Sequence, residues 1–419
     1  MHTFFGYGRT YARARGDTSP CGGHPHADRL DALRSLVTGA TGYIGSRLVT
    51  ALLANNHQVL AATRSPARLQ RLGWFDDVTP VVLDASDPAS AQAAMQEAGR
   101  VDVVYYLVHG IGQPGFREGD SAAAANVATA ARDAGVRRIV YLGGFVPEDP
   151  ENGALSEHLS SRAEVAEALS VEGGPELVWL GAAMIIGAGS TSFEMLRYVG
   201  DRFPLMPIPG WMENPIDPIS IRDVLHYLVA AADAGQVPAG GYDIHGPDTT
   251  SYRGLLKTYA RISGRWQATL RVPLVGTAVA SRFTGVALPV PPGLAGDLVE
   301  SLDHPMLASD ADLRDRVPDP PGGLLGVDAA IALSLADQSN PPRPVNALAD
   351  PHDLADTDPV WAGGDALRIR RLARAVTPPI ARPALGLVNL VNAVPGPLAG
   401  ALRTGLDLLL TLTPKVRPA

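Results

Sequence analysis

Three glycines spaced three residues apart stand in the run Leu36-Val37-Thr38-Gly39-Ala40-Thr41-Gly42-Tyr43-Ile44-Gly45. This spacing suits a turn that holds a pyrophosphate. Gly39 permits a tight reversal, Gly42 lets the backbone approach the anion with no Cβ in the way, and Gly45 lets a following helix pack closely. A helix starting here turns free N–H groups and its positive dipole end toward the anion, with Thr41, Tyr43 and Ile44 completing the cradle. Roughly twenty residues further on, where a carboxylate would hold a ribose 2′-hydroxyl, the chain reads Ala61-Ala62-Thr63-Arg64-Ser65-Pro66-Ala67-Arg68. Without an acid there, Arg64 and Arg68 are suited to a 2′-phosphate, with Thr63 or Ser65 donating from their hydroxyls. The expected cofactor is therefore NADP, with NAD as the alternative. Asp84 is placed to accept from an adenine amino group, and Asp87 to cap the next helix. His109 follows an apolar strand and so falls near the carboxyl edge of a sheet, where it could line a nicotinamide pocket with Gly110. The run Gly187–Ser192 could bring backbone amides to the nicotinamide end, with Glu194 and Tyr198 beyond it as weaker candidates.

The elements that must position these residues are legible as an alternation. Ser35–Thr38, Gln58–Ala62, Val81–Leu83, Val101–Val108, Arg138–Leu142 and Glu176–Leu180 read as strands. Between them, Ile44–Ala54, Ala89–Ala98, Ser121–Ala134 and Ser156–Leu169 carry apolar residues at helical spacing. The βαβαβ order, taken twice, predicts an α/β fold: a Rossmann-type doubly wound parallel sheet with a smaller mixed substrate region and a helical C-terminal tail. Later, Val224–Ala232 and Tyr252–Ile262 read as helices and Gly241–His245 as a short strand.

The expected organisation is a disordered leader over 1–33 and a dinucleotide-binding domain over 34–246, with a substrate-loop insertion at about 183–222. A substrate region over 247–335, a Pro-rich linker over 336–383 and an apolar helical tail over 384–419 follow. Proline and glycine crowd Val290–Gly293, Pro318–Gly323 and Asn340–Asp358, which reads as loop or linker. The tail is interrupted by Pro395, Pro397, Arg403 and Asp407 too often to span a bilayer. Peripheral membrane contact through its apolar face is the less favoured use, because the polar face carries little positive charge.

Composition narrows the function classes. A formal charge of −8 over 419 residues, with no long basic block, argues against nucleic acid as a partner. Cys21 is the only cysteine, and His24 and His26 beside it are too few for zinc, so neither a disulfide framework nor a metal is expected. No signal-peptide pattern opens the chain, and a cytoplasmic location is expected. Among the 35 basic residues, only Lys257 and Lys415 are lysines, so a mechanism that needs a lysine has two candidates.

The run Thr38–Gly45 has the TGATGxIG pattern and resembles the atypical and extended members of the short-chain dehydrogenase/reductase superfamily. The segments Val104–His109, Ser156–Arg162, Ile186–Glu194 and Pro218–Val224 look like bacterial NAD(P)H-binding proteins close to the NmrA-like and nucleoside-diphosphate-sugar-epimerase-like groups. The resemblance covers about residues 34–335. It implies a serine or threonine at the end of the fifth strand and a Tyr-x-x-x-Lys pair on the next helix. This chain instead has Gly143-Gly144 and the pair His158 and Arg162, and neither lysine has a tyrosine four residues earlier. At i and i+4, His158 and Arg162 share a helical face. A histidine can pass a proton to a developing alkoxide, whereas arginine can hold ribose hydroxyls but keeps its proton. The resemblance thus implies an NADP(H)-dependent oxidoreductase acting on a carbonyl, quinone or sugar-derived small molecule. A non-catalytic dinucleotide-binding sensor or assembly protein would explain the missing triad, and nucleotide-sugar epimerase or dehydratase chemistry ranks third. The sequence sets neither the substrate nor the oligomeric state.

Overall fold

Short runs of buried, mostly β-branched and aromatic residues assemble into one parallel sheet. The computed structural model describes residues 32–110, 113, 115–145, 157–272, 275–309, 312–336, 341–365, 367, 368 and 371. The expected leader (1–33, apart from its last two residues) and the expected tail (384–419) lie outside the described residues.

Strands β1 (Arg34–Val37), β2 (Gln58–Thr63), β3 (Thr79–Val82), β4 (Val103–Tyr106), β5 (Arg138–Gly144) and β6 (Glu176–Ala182) match the six expected strands. Helices α1 (Tyr43–Ala54), α2 (Pro66–Leu69), α3 (Pro88–Ala98), α4 (Phe116–Asp133) and α5 (Glu157–Leu169) follow the first five strands, with the short α2 after β2. β7 (Ile185–Ile186), α6 (Thr191–Arg202), β8 (Leu205–Ile208), β9 (Pro215–Ile216), β10 (Ile219–Ser220) and α7 (Ile221–Ala230) lead to the last sheet strand, β11 (Gly240–Asp243). The order across the sheet is β11-β6-β5-β4-β1-β2-β3, and every pairing in it is parallel. Because the chain reverses its direction of travel between β1 and β4, the crevice at their carboxyl ends is the natural ligand site of such a sheet.

Two apolar layers cover the sheet. On one face, α1 contributes Leu48, Val49 and Leu52 and α7 contributes Val224 and Leu228, all fully buried or nearly so. On the other, α3, α4 and α5 contribute Ala91, Val127, Ala131 and Val165. Each fully buried Leu or Val contributes about 1.5–3 kcal/mol relative to exposure. The small alanines of α3 and α4 let these helices lie close together. Caps fix several helix starts: Asp87 accepts from the Ala89 N–H, as expected, and Ser220 accepts from the Asp223 N–H. The Ser220 cap explains why α7 begins three residues before the first residue of its apolar pattern.

Beyond the sheet, β12 (Thr250–Ser251), α8 (Tyr252–Ile262), β13 (Ala268–Arg271), α9 (Thr277–Ala287), α10 (Pro292–Glu300), α11 (Asp312–Arg316) and α12 (Val327–Ala336) complete the fold. β8 and β13 form a parallel ribbon in which Leu205 faces Ala268 and Pro207 faces Leu270. Val290–Gly293, expected as loop, instead runs into the first turn of α10, where Pro292 fits because a first-turn N–H needs no partner. Residues 341–365, expected as linker, follow the irregular path that their prolines suggest. They nevertheless lie packed on the sheet unit, with Val345, His352 and Ala355 buried.

Candidate functional site

The glycine turn has the geometry that its spacing predicts. Gly39 adopts φ +67°, and a Cβ there would stand 3.0 Å from the Leu107 carbonyl oxygen at the end of β4. A Cβ on Gly45 would stand 2.2 Å from the Gly39 oxygen, so the third glycine seats α1 on the turn itself. Gly42 is the exposed N-cap of α1 and offers no side chain to the helix amides, and the first turn carries no acid. Those amides and the positive helix end are left for an anion, so the turn fits a pyrophosphate. Thr38 holds the crevice together: its hydroxyl donates to the Tyr105 carbonyl at 3.0 Å and accepts from the Leu107 N–H at 3.1 Å. Thr41 and Ile44 are half-buried beside the glycines.

Arg64 follows β2 directly, Arg68 lies in α2, and both are exposed. Asp84 follows β3, and Ser86 donates to its carboxylate from both hydroxyl (2.7 Å) and N–H (3.0 Å). Those bonds, together with the nearby Arg64 charge, hold Asp84 below the usual carboxylate range. Thr63 is spent locally, its hydroxyl bonded to the Ser65 backbone on both sides. Arg64 and Asp84 therefore stand near one another past the ends of β2 and β3, and the Thr63 hydroxyl faces its own turn.

Across the switch point, the loop after β4 is pinned by Asp120, whose carboxylate accepts from the Gly110 N–H at 2.6 Å. Burial raises the Asp120 pKa, opposed by that bond, by Arg162 and by Ser161. His109 is exposed to water on one side. Its imidazole is nevertheless pushed well below its ordinary range, first by the surrounding protein and then by the Arg162 cation. The Arg162 charge on α5 is thus felt at the end of β4. Its Cγ would lie 3.7 Å from a Cβ on Gly144, at the carboxyl end of β5. The buried hydroxyls of Tyr106 and Ser121 have no hydrogen-bond partner among the described residues. His158 stands at the second position of α5, and its side chain lies outside the described residues.

Some expected candidates are structural. Three amides of Gly187–Ser192 are already used: Ala188 donates to the His352 carbonyl, Gly189 to Glu194 and Ser190 to the Gly187 carbonyl. Those three N–H groups are therefore closed to a nicotinamide. Glu194 is fully buried, accepting also from the Gly363 N–H and Arg197, and the Tyr198 hydroxyl donates to the Trp361 carbonyl.

Tyr43 does more than line the cradle. Arg47 stacks over its ring at 4.1 Å, and its buried hydroxyl has no partner among the described residues, lying where a Cβ on Gly187 would come within 2.1 Å. Arg47 is 2% exposed and forms a two-pronged pair with Asp358, at 2.9 and 2.7 Å. It also donates to the carbonyls of Pro351 and Asp353. The phosphate turn is thus tied to residues 351–358. An arginine among the buried positions of an otherwise apolar helix face was a visible sign of a distant partner. Nothing in the sequence marked Asp358 as that partner.

A cavity of about 450 Å³ opens beside Gly144 and Ala182, at the carboxyl ends of β5 and β6. Leu159 of α5, Met195 and Leu196 of α6, Leu256 of α8 and Val299 of α10 are among its walls, and its lining is almost wholly apolar. Its walls come from segments more than a hundred residues apart, so no local sequence signal could outline it. Among the described residues, no group of three or more metal-ligating side chains occurs, and no helix is long and apolar enough to cross a membrane.

Residues 39–170 match the NAD(P)H-binding family. A nucleoside-diphosphate-sugar epimerase from Staphylococcus aureus superposes with a TM-score of 0.55 at 17% identity, covering 72% of this chain and 99% of its own. The Bordetella bronchiseptica enzyme WbmH, solved with NAD+, gives 0.53 at 15% identity, covering 72% and 96%. Over 147 residues the chain is 32% identical to the chloroplastic divinyl chlorophyllide a 8-vinyl-reductase of Zea mays, covering 33% of this chain and 35% of the reductase. The chain thus spans about a third of the length of this curated relative. Glycine turn, parallel strand order and family match agree: residues 39–170 are similar to the NAD(P)H-binding family and lie within a Rossmann-type parallel sheet.

Proposed function

We propose that the protein is an NADP(H)-dependent oxidoreductase whose substrate is a predominantly apolar carbonyl or quinone. The observation that carries this reading is the apolar cavity opening beside Gly144 and Ala182, next to Arg162. A nucleotide sugar would leave its hydroxyls and phosphates facing Met195, Leu196, Leu256 and Val299 without partners, at roughly 1–3 kcal/mol for each unsatisfied group. The epimerase-like fold therefore carries a different substrate class here. The maize relative is named as a reductase, in keeping with reductive chemistry.

In this reading Gly39, Thr41, Gly42, Tyr43, Ile44 and Gly45 hold the pyrophosphate, and Arg64 and Arg68 hold a 2′-phosphate beside Asp84. His109 borders the nicotinamide side as a neutral imidazole. A bound reduced nicotinamide supplies the hydride. Arg162 stabilises negative charge developing on the acceptor oxygen near Gly144 and keeps its own proton. His158, one turn earlier on the same helical face, delivers the proton.

The test is NADPH oxidation by the full-length protein with a panel of apolar ketones and quinones, beside Arg162→Ala and His158→Ala. Turnover that falls about a hundredfold or more in either variant, with NADPH still bound, supports the reading. Tight NADPH binding with no oxidation across the panel would leave the second reading, a non-catalytic dinucleotide-binding protein, which the absent Tyr-x-x-x-Lys pair favours.

A further inference from the structure

We infer that the surface around the cavity mouth seats on an anionic phospholipid bilayer, from which the cavity draws its substrate. Among the described residues seven large apolar side chains stand exposed. Four of them, Leu205 (59%), Trp266 (73%), Leu270 (56%) and Val279 (63%), belong to the β8–β13 ribbon, its approach and α9. The register groups two of these, and a third adjoins them. Ala268 and Leu270 share one face of β13, Leu205 pairs opposite Ala268 on that same face, and Trp266 stands two residues before the strand. Val279 and the exposed Pro207, which faces Leu270 across the ribbon, also line the cavity. The outer apolar patch is therefore continuous with the apolar interior.

Charge selects the occupant. Residues 249–296 contain six basic residues, Arg253, Lys257, Arg261, Arg265, Arg271 and Arg282, and no acidic one, in a chain whose formal net charge is −8. Three of the six meet acids from other elements: Arg253 with Glu213, Arg261 with Asp328 and Arg265 with Asp201. Lys257, Arg271 and Arg282 are exposed, and Arg271 reaches Glu213 only at 4.0 Å. Apolar side chains that include a tryptophan, ringed by excess cations, are the composition that binds an interface of anionic lipid. The docking stands on exposure and charge; its role in substrate supply rests on the oxidoreductase reading.

The test is co-flotation of the full-length protein with phosphatidylcholine vesicles made with and without phosphatidylglycerol. Binding that needs phosphatidylglycerol, weakens in high salt and falls roughly tenfold or more in Trp266→Ala/Leu270→Ser and in Arg271→Glu supports the proposal. NADPH affinity stays unchanged in these variants, which shows that they fold. Three results overturn it: no vesicle binding by the wild-type chain, patch variants that bind as well as wild type, or a patch that proves to join two copies. The last would appear as a dimer converted to monomer by Trp266→Ala/Leu270→Ser, with no vesicle binding. Failure of the oxidoreductase reading appears separately, as absent turnover with the vesicle result intact.

Discussion

Replacing Asp358 by alanine isolates the tie between the phosphate turn and residues 351–358. In the native protein Arg47 and Asp358 are 1% and 2% exposed in their side chains, so neither charge is relieved by water. Removing one partner of a buried pair costs about 3–5 kcal/mol, because the other charge stays buried and unmatched. Arg47 keeps the carbonyls of Pro351 and Asp353, which places the expected cost toward the lower end of that range. A folded unit of about 330 residues has an unfolding entropy near 0.7 kcal/mol/K, so the midpoint should drop by roughly 4–7 °C. The assay is thermal unfolding followed by circular dichroism, with Asp133→Ala as comparator. Asp133 pairs with Arg132 at the surface, both about 40% exposed, and its loss should cost no more than about 1 kcal/mol. An Asp358→Ala midpoint within about 1 °C of wild type, or no lower than that of Asp133→Ala, would refute the reasoning.

Gly45→Ala places a Cβ 2.2 Å from the Gly39 oxygen and should abolish NADPH binding in a fluorescence titration, while far-ultraviolet circular dichroism shows the sheet retained. Arg64→Ala should weaken NADPH binding about tenfold or more and leave NADH nearly unchanged, since only the former carries the 2′-phosphate. Wild type that binds both equally would contradict the assignment. Leu256→Trp should fill part of the cavity and raise KM for the apolar substrate without altering NADPH affinity; an unchanged KM would move the substrate elsewhere. Burial lowers the pKa of both His57 and His245 below the ordinary imidazole value of about 6.5. The unfolded chain therefore binds more protons below that value, and the stability these two neutral histidines hold above about pH 6.5 is lost progressively as pH falls from there through their lower folded pKa values. Denaturant midpoints measured from pH 8 to pH 5 should show this limb, and His57→Gln should flatten part of it.

Much of the fold was legible because a parallel sheet covered on both faces writes itself as apolar runs between amphipathic helices. β1, β2, β5 and β6 begin within a residue of their expected starts. The glycine turn was equally plain, since its demands are local: a positive φ at Gly39 and missing Cβ atoms near one carbonyl. What remained hidden depends on distant partners. Asp350, His352, Asp353 and Asp358 fall in a stretch that reads as loop or linker, yet three of them are buried: Asp358 pairs with Arg47 and accepts from the Ala355 N–H, Asp353 accepts from the Asp350 N–H, and the His352 Nδ1 lies 2.6 Å from the Asp350 carboxylate. The amides of Gly187–Ser192 seemed available until His352 and Glu194 were seen to occupy two of them. The cavity walls come from α5, α6, α8, α9 and α10, and each contributes apolar residues that would look the same in a solid core.

The two glycines that end β5 differ in what they would admit. A Cβ on Gly143 would meet the Trp179 indole nitrogen at 2.5 Å and the Tyr141 ring at 3.0 Å, so a larger residue there would wedge apart the aromatic stack beneath the sheet. At Gly144 the nearest atom is Arg162 Cγ at 3.7 Å, ordinary contact, and the position borders the cavity. The hydroxyl that the resemblance implies at the end of this strand is thus one substitution away at Gly144 and barred at Gly143. Gly144→Ser would accordingly set one hydroxyl beside the cavity without rebuilding the core, while the Tyr-x-x-x-Lys pair would still be missing.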